Sequence, residues 1–190
     1  MSNVTVVDGV DYGPLAALIG SWEGNKGLDV APEPDGKDET PYSESILYEA
    51  IGDVTNAGEQ TLAVLRYHQI VRLKSSGEVF HNETGYWSWD SKSGVLMHSL
   101  TIPRGVALLA GGDGKVASDG SVDINVEAAI DSNEWGIVQS PFMQEKARTV
   151  GFKQHVAVNG SNMEYSETTL LEIYGKSFEH TDGNVLTKVS

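Results

Sequence analysis

The feature that most constrains this chain is its hydrophobic period. After a short front segment, apolar and polar residues alternate with a period of two, in runs bounded by turn residues. The runs cover 20–28, 43–51, 62–73, 79–89, 95–102, 106–110, 122–130, 148–158, 163–174 and 185–189. Asn159-Gly160 between two of them is a hairpin signal, and Lys74-Ser75-Ser76-Gly77 and Asp90-Ser91-Lys92-Ser93-Gly94 read as turns. That makes about ten strands at roughly 8–15-residue spacing, the pattern of an antiparallel sandwich or barrel. A parallel sheet needs crossover helices, and none is written between the strands. The expected fold is all-β, a closed antiparallel barrel of about ten strands with a short N-terminal helix.

That helix is expected over 12–19. Pro14 suits its first turn, and Gly20 suits its stop. Two segments interrupt the strand pattern. Residues 31–40 carry Pro32, Pro34, Gly36 and several carboxylates, and read as a solvated loop. Residues 131–146 carry Trp135, Pro141, Phe142 and Met143, and read as a loop or short helix over one barrel end. At 190 residues and 39% hydrophobic, the chain fits one domain, 12–190, behind a tail at 1–11. About ten strands enclose more interior than side chains usually fill, so the barrel is expected to hold a small ligand.

Charge narrows the partners. Lys and Arg number 13 against 27 Asp and Glu, a net charge of −14. Phosphate backbones and anionic membrane surfaces are repelled, so neither nucleic acid nor membrane is an expected partner. With no cysteine, disulfides, thiolate nucleophiles, Cys-ligated zinc and iron–sulfur clusters are excluded. The start has neither a basic nor an apolar signal region, and a cytoplasmic protein is expected.

Several motifs fail on context. Gly175-Lys176-Ser177 lacks the glycine five residues earlier, where Leu170 stands. The stretch 112–117, Gly-Asp-Gly-Lys-Val-Ala, matches a permissive dinucleotide pattern, but it lies between strands and reads as a turn. His81-Asn82-Glu83 has no cysteine pair to make a deaminase zinc site.

Five histidines remain: His68, His81, His98, His155 and His180. Most histidines are surface groups or hydrogen-bonded core residues. In a chain without cysteine, imidazole is also the natural axial ligand for haem iron. Trp22 on the first strand reads as a plug for one barrel end, with Gly20, Gly24 and Gly27 letting strands bend or approach closely.

The stretch Leu15-Ala16-Ala17-Leu18-Ile19-Gly20-Ser21-Trp22-Glu23-Gly24 resembles the GxWxGxG signature of the nitrobindins, with its last gap one residue longer. Phe80-His81-Asn82-Glu83-Thr84-Gly85-Tyr86-Trp87 resembles their HxETGYW stretch, and Tyr42-Ser43-Glu44-Ser45-Ile46-Leu47-Tyr48 resembles their second strand. The resemblance spans about residues 12–189. It implies a fatty-acid-binding-protein-like barrel, also found as a domain on some THAP proteins, that binds ferric haem b near an open end. It implies reaction with nitric oxide and a haem-dependent peroxynitrite isomerase activity, in a monomer or homodimer. His180 takes the position of the axial iron ligand, and Thr40 that of a haem-contacting threonine. His81 takes a structural position near Tyr86 and Trp87. The segment 178–184 around His180 is more polar than the family pattern.

A second class of function is a carrier of a fatty-acid-like or other apolar ligand. It would need a cation for a carboxylate, and Arg66, Arg72, Arg104 and Arg148 are the candidates. A third is a barrel that only docks a partner.

Overall fold

In the computed structural model, residues 5–190 are described; the first four residues of the expected tail lie outside them. Ten long strands form the barrel. They are β1 (Gly20–Glu33), β2 (Gly36–Asn56), β3 (Gln60–Leu73), β4 (Val79–Asp90), β5 (Val95–Ile102), β6 (Val106–Val116), β7 (Val122–Ala129), β8 (Ala147–Asn159), β9 (Asn162–Ile173) and β10 (Lys176–Lys188). Each pairs antiparallel with its neighbours in sequence, and β10 closes on β1 through Asp182↔Asp29 and Leu186↔Gly24. The expected all-β barrel is the observed one. Closure leaves few open edges, and short turns make the meander the economical topology.

Turn chemistry matches the hairpins. Gly160, at φ +59°, sits in the tight turn between β8 and β9. Tyr174 and Gly175, at φ +54° and +74°, close the next hairpin between Ile173 and Lys176. Gly27 is needed for close approach: a Cβ there would run into the ring of Tyr42. Between Gly24 and Gly27 the β1–β2 register shifts, so the two glycines mark a bulge that bends the first strand.

The expected short front helix is present as a 3-10 turn, Gly13–Ala17, with Pro14 in its first turn. Three other expectations are corrected. Residues 31–40 are not a loop but the tip of the β1–β2 hairpin, paired from Ala31↔Asp38 to Glu33↔Gly36. Beyond Val30, β1 has no pairing to β10, and beyond Tyr42, β2 has none to β3. Both strands are therefore edges there, and edges tolerate proline. The stretch 112–117 is not a turn. Through Val116 it continues β6, pairing Gly112 with both Leu96 and Val126. A Cβ at Gly112 would strike the Asn125 carbonyl, so glycine is what lets the strands approach. The last strand begins at Lys176, nine residues before the expected start at 185, so His180 stands inside it.

The segment 131–146 holds a three-residue strand, Ile137–Gln139, and one helical turn and a half, α1 (Pro141–Lys146). The strand pairs with the start of β6. The Ser140 hydroxyl caps α1 by accepting from the Met143 N–H, with Pro141 in the first turn.

One end of the barrel is packed solid. Trp22 is 0% exposed, and its indole N–H donates to the Leu18 carbonyl at 2.7 Å. Tyr12, Leu15 and Leu18 from the front segment close the same end. Burying an indole removes about 200 Å² from water, on the order of 5 kcal/mol at ~25 cal/mol per Å². The expected plug role of Trp22 is the observed one.

Candidate functional site

The other end opens into a cavity of about 450 Å³. Its walls differ. Leu100 and Ile102 from β5, Val106 and Leu108 from β6 and Phe152 from β8 make one side apolar, and Met143 from α1 reaches the same space. The facing side is built from β1, β4, β9 and β10, and carries Asp29, His81, Glu83, Glu167, His180 and Asp182. Period-two alternation explains the selection: on β4, His81 and Glu83 share the inner face with buried Trp87, whereas Tyr86 points out at 47% exposure.

His180 Nε2 lies 2.7 Å from Asp29 Oδ1, a contact between residues 151 apart in sequence. Burial opposes protonation of the ring, but Asp29 outweighs it and raises the imidazole above its ordinary value. Asp182 is two residues further along β10, with its side chain on the same inner face. Burial first, then the carboxylates Asp29 and Glu44, push it up to about 7. Glu167 is held well above the usual carboxylate range by burial and by Asp182. Its Oε2 accepts from Gln154 Nε2 at 3.1 Å.

The ladder register orders these groups. Thr40 on β2 faces Asp29 on β1; Asp29 faces Asp182 on β10; Asp182 faces Glu167 on β9; Glu167 faces Gln154 on β8. The result is one polar row across five strands with three carboxylates side by side. Thr40 does line the cavity, and its hydroxyl donates to Asp38 Oδ2.

Deeper in the barrel lies a second polar layer, largely hydrogen-bonded, in which His98 Nδ1 and the neighbouring Gln154 Oε1 are buried without a partner among the described residues. Glu44 is 5% exposed and accepts from Asn184 Nδ2 (2.8 Å), Gln69 Nε2 (2.6 Å) and the Tyr165 hydroxyl (3.1 Å). Burial still raises its carboxyl. Burial also opposes charge on Glu83, but His81, at 3.4 Å, and the Tyr67 hydroxyl, at 2.5 Å, hold its carboxyl below the ordinary value. His98 follows: its Nε2 is 2.9 Å from the Tyr67 hydroxyl, and its ring stacks on Trp87 at 4.0 Å between centroids. It is 1% exposed, and burial lowers it to about 4, so it is neutral.

Of the five histidines, the cavity therefore gathers His81 and His180. His98 is a core group beneath it, and His68 and His155 sit on the outer surface, bonded to Asn82 and Asp123. His81 stands at the cavity, partnered by Glu83, rather than beside Tyr86. Of the four arginines only Arg104 borders the cavity; Arg66 pairs outside with Glu49 and Arg148 with Glu172. Sequence reasoning singled out none of Asp29, Glu167 and Asp182. Their one signal was alternation: inward positions on three strands hold acids where a filled barrel would hold aliphatics.

Residues 11–188 match the family described as THAP4-like, heme-binding beta-barrel domain. Among solved structures, the chain is similar to Rv2717c from M. tuberculosis, with a TM-score of 0.68 and 20% identity over 93% of this chain and 95% of that one. At that identity the likeness concerns the fold. No curated protein matches significantly. Among the described residues, no helix is long and apolar enough to cross a membrane.

Proposed function

The chain belongs to the family of THAP4-like, heme-binding beta-barrel domains, and from that premise we propose that it binds ferric haem b in the open end of the barrel, with His180 as the axial ligand to iron. The observation that carries this reading is the pairing of an apolar wall with one imidazole whose ring is already steered by a carboxylate. Asp29 occupies one ring nitrogen of His180 and leaves the other free. A carboxylate behind a ligating histidine is the usual way a protein fixes ring orientation and raises ligand basicity. The residues present therefore fit the group.

The cavity supplies the rest of the environment. Leu100, Leu108 and Phe152 would exclude water from a flat apolar macrocycle. Thr40, next to Asp29 in the polar row, lies where its hydroxyl would border the same ligand. Arg104 is the one fixed positive charge lining the cavity among the described residues, and its guanidinium would offer a local hydrogen-bond partner to a small oxoanion. His81, held by Glu83, can carry a proton at the same cavity. The chemistry that haem supplies when bound is uptake of nitric oxide and Lewis-acid rearrangement of peroxynitrite to nitrate.

A hemin titration followed by absorbance tests this, run on the protein and on His180→Ala. A sharp Soret band saturating at one equivalent, lost or shifted in the variant, is the expected result. A broad band identical in both would overturn it. Nitric oxide binding and peroxynitrite decay are then measured on the loaded protein.

A further inference from the structure

Two atoms in the core lack what a buried polar group needs. His98 Nδ1 and Gln154 Oε1 have no hydrogen-bond partner among the described residues, and neither has surface that a water could touch. Buried polar atoms are nearly always paired, and each exception asks for a physical reason. The two side chains adjoin one another, lining the same small void. On either side of this break the bonds are made. Gln154 Nε2 donates to Glu167 Oε2 at 3.1 Å. His98 Nε2 lies 2.9 Å from the Tyr67 hydroxyl, which donates to Glu83 Oε1 at 2.5 Å. The groups therefore run in a line: Glu167, Gln154, His98, Tyr67, Glu83. Its middle passes through the core, and both its ends stand on the cavity wall.

Counting hydrogens explains the break. Four links join these five groups, and each link needs one hydrogen. A neutral imidazole supplies one and a phenol one. An amide supplies one, because its nitrogen donates on one side while its oxygen accepts on the other. With both carboxylates ionised the line is one hydrogen short, and the shortage falls where the two atoms stand unpaired. One added proton completes every link, and it has three places to sit. On His98 it would put a charge on a ring only 1% exposed. On Glu83 it would remove the anion that stands 3.4 Å from His81. On Glu167 it removes a charge from an acid that directly faces Asp182, with Asp29, Glu44 and Glu83 acting on it from the other strands.

We propose that Glu167, Gln154, His98, Tyr67 and Glu83 form one hydrogen-bonded chain that holds a single proton, carried on Glu167, with Gln154 turned so that its oxygen accepts from Glu167 and its nitrogen donates to His98. A half-turn about the last side-chain bond exchanges the two ends of the amide and leaves its shape unchanged. Both unpaired atoms are then satisfied: Gln154 Oε1 by the Glu167 hydroxyl, and His98 Nδ1 by the amide N–H. Every donor now points the same way. His98 Nε2–H donates to the Tyr67 oxygen, and Tyr67 O–H donates to Glu83, which stays ionised. Burial and acidic neighbours raise Glu167, and His81 and Tyr67 lower Glu83, in agreement with this direction. The ionised Glu83 in turn keeps His81 a cation at the cavity. Gln154 and His98 are thus positioning residues that act on the cavity through Glu83. The chain belongs to the protein itself and does not depend on haem binding.

The test uses hemin-free protein at pH 7. Nitrogen-15 magnetic resonance of the imidazoles reads the ring form of His98, and infrared spectroscopy reads protonated carboxyls. The expected ring is neutral, with its hydrogen on Nε2 and with Nδ1 accepting a hydrogen bond. The expected infrared spectrum carries a protonated-acid band that Glu167→Gln removes. Glu167→Gln should leave the ring form of His98 unchanged, because the new amide N–H donates where the acid proton did. If far-ultraviolet circular dichroism shows that variant to be unfolded, Gln154→Leu takes its place, and the band should shift to that of an acid without its acceptor. A His98 hydrogen on Nδ1, or on both nitrogens, overturns the proposal, because the proton then sits on Glu83 or on the ring. So does an infrared spectrum from which Glu167→Gln removes no band, or in which Gln154→Leu shifts none.

Discussion

The closed and open ends of the barrel are made from the same strands and the same alternation, yet they solve opposite problems. At the closed end the inward positions hold Trp22, Leu65, Trp87, Leu96, Ile124 and Leu186, each no more than 1% exposed. At the open end the inward positions of β1, β4, β9 and β10 hold Asp29, Glu83, Glu167 and Asp182. One end lowers free energy by removing apolar surface from water. The other places acidic groups side by side, where burial and their neighbours raise Asp182 and Glu167 above the ordinary carboxylate range, which costs stability near neutral pH. The difference teaches that this fold separates its functions along the barrel axis. The packed end supplies stability, and the polar end uses part of it to keep a row of acidic side chains in place.

The largest break in that comparison comes from the closed end. Trp22→Ala should destabilise the barrel by about 3–5 kcal/mol, through lost burial and the cavity left behind. For a chain of this size that lowers the melting temperature by roughly 6–20 °C. Urea unfolding measures it; a loss under 1 kcal/mol would mean that the plug is not what holds this end together.

The next effect is a pH dependence at the boundary between the two ends. His98 is held at about 4 in the folded barrel, against 6.5 for the free side chain. Between those values the unfolded chain binds the extra proton, so stability rises with pH across this window and is lost as pH falls from 6.5 toward 4. The full contribution is on the order of 3 kcal/mol. Urea midpoints at pH 7, 5.5 and 4.5 should show a steeper acid loss in the unmodified protein than in His98→Phe. Parallel slopes would show that His98 is not the group responsible.

The smallest effect has the opposite sign and belongs to the open end. Glu167→Gln keeps an acceptor for Gln154 while removing a buried acid, opposite Asp182, that resists ionisation. At pH 7.5, above the ordinary carboxylate range, it should stabilise by about 0.2–1 kcal/mol, read as a small rise in melting temperature. A loss instead would show that Glu167 is a satisfied structural acid like Glu44, and that the two ends are not as different as the row of carboxylates implies.

Much of the fold is legible in particular residues. Alternation along β3, β4, β5, β8 and β9 places those strands to within a few residues, and Trp22 with Gly24 and Gly27 marks where the barrel is plugged and bent. The ends of strands are less legible, because pairing partners decide them. Proline and acidic residues at 31–40 look like a loop until the hairpin tip is seen to have two free edges. Gly112 to Lys115 look like a turn until close strand approach is seen to require glycine. His180 was legible through family resemblance, whereas Asp29 and Asp182 were not legible at all.

The sequence by itself determined the class of fold, the closed end and the set of side chains available for chemistry, because local periodicity, turn residues and composition act over a few residues. Only the tertiary structure decided which inward-facing residues share a row. That depends on the register with which β10 closes on β1, shifted between Gly183 and Leu186 and, against β2, between Gly24 and Gly27. Closure sets that register through the packing of the whole barrel, and it brings His180 and Asp29, 151 residues apart, to 2.7 Å.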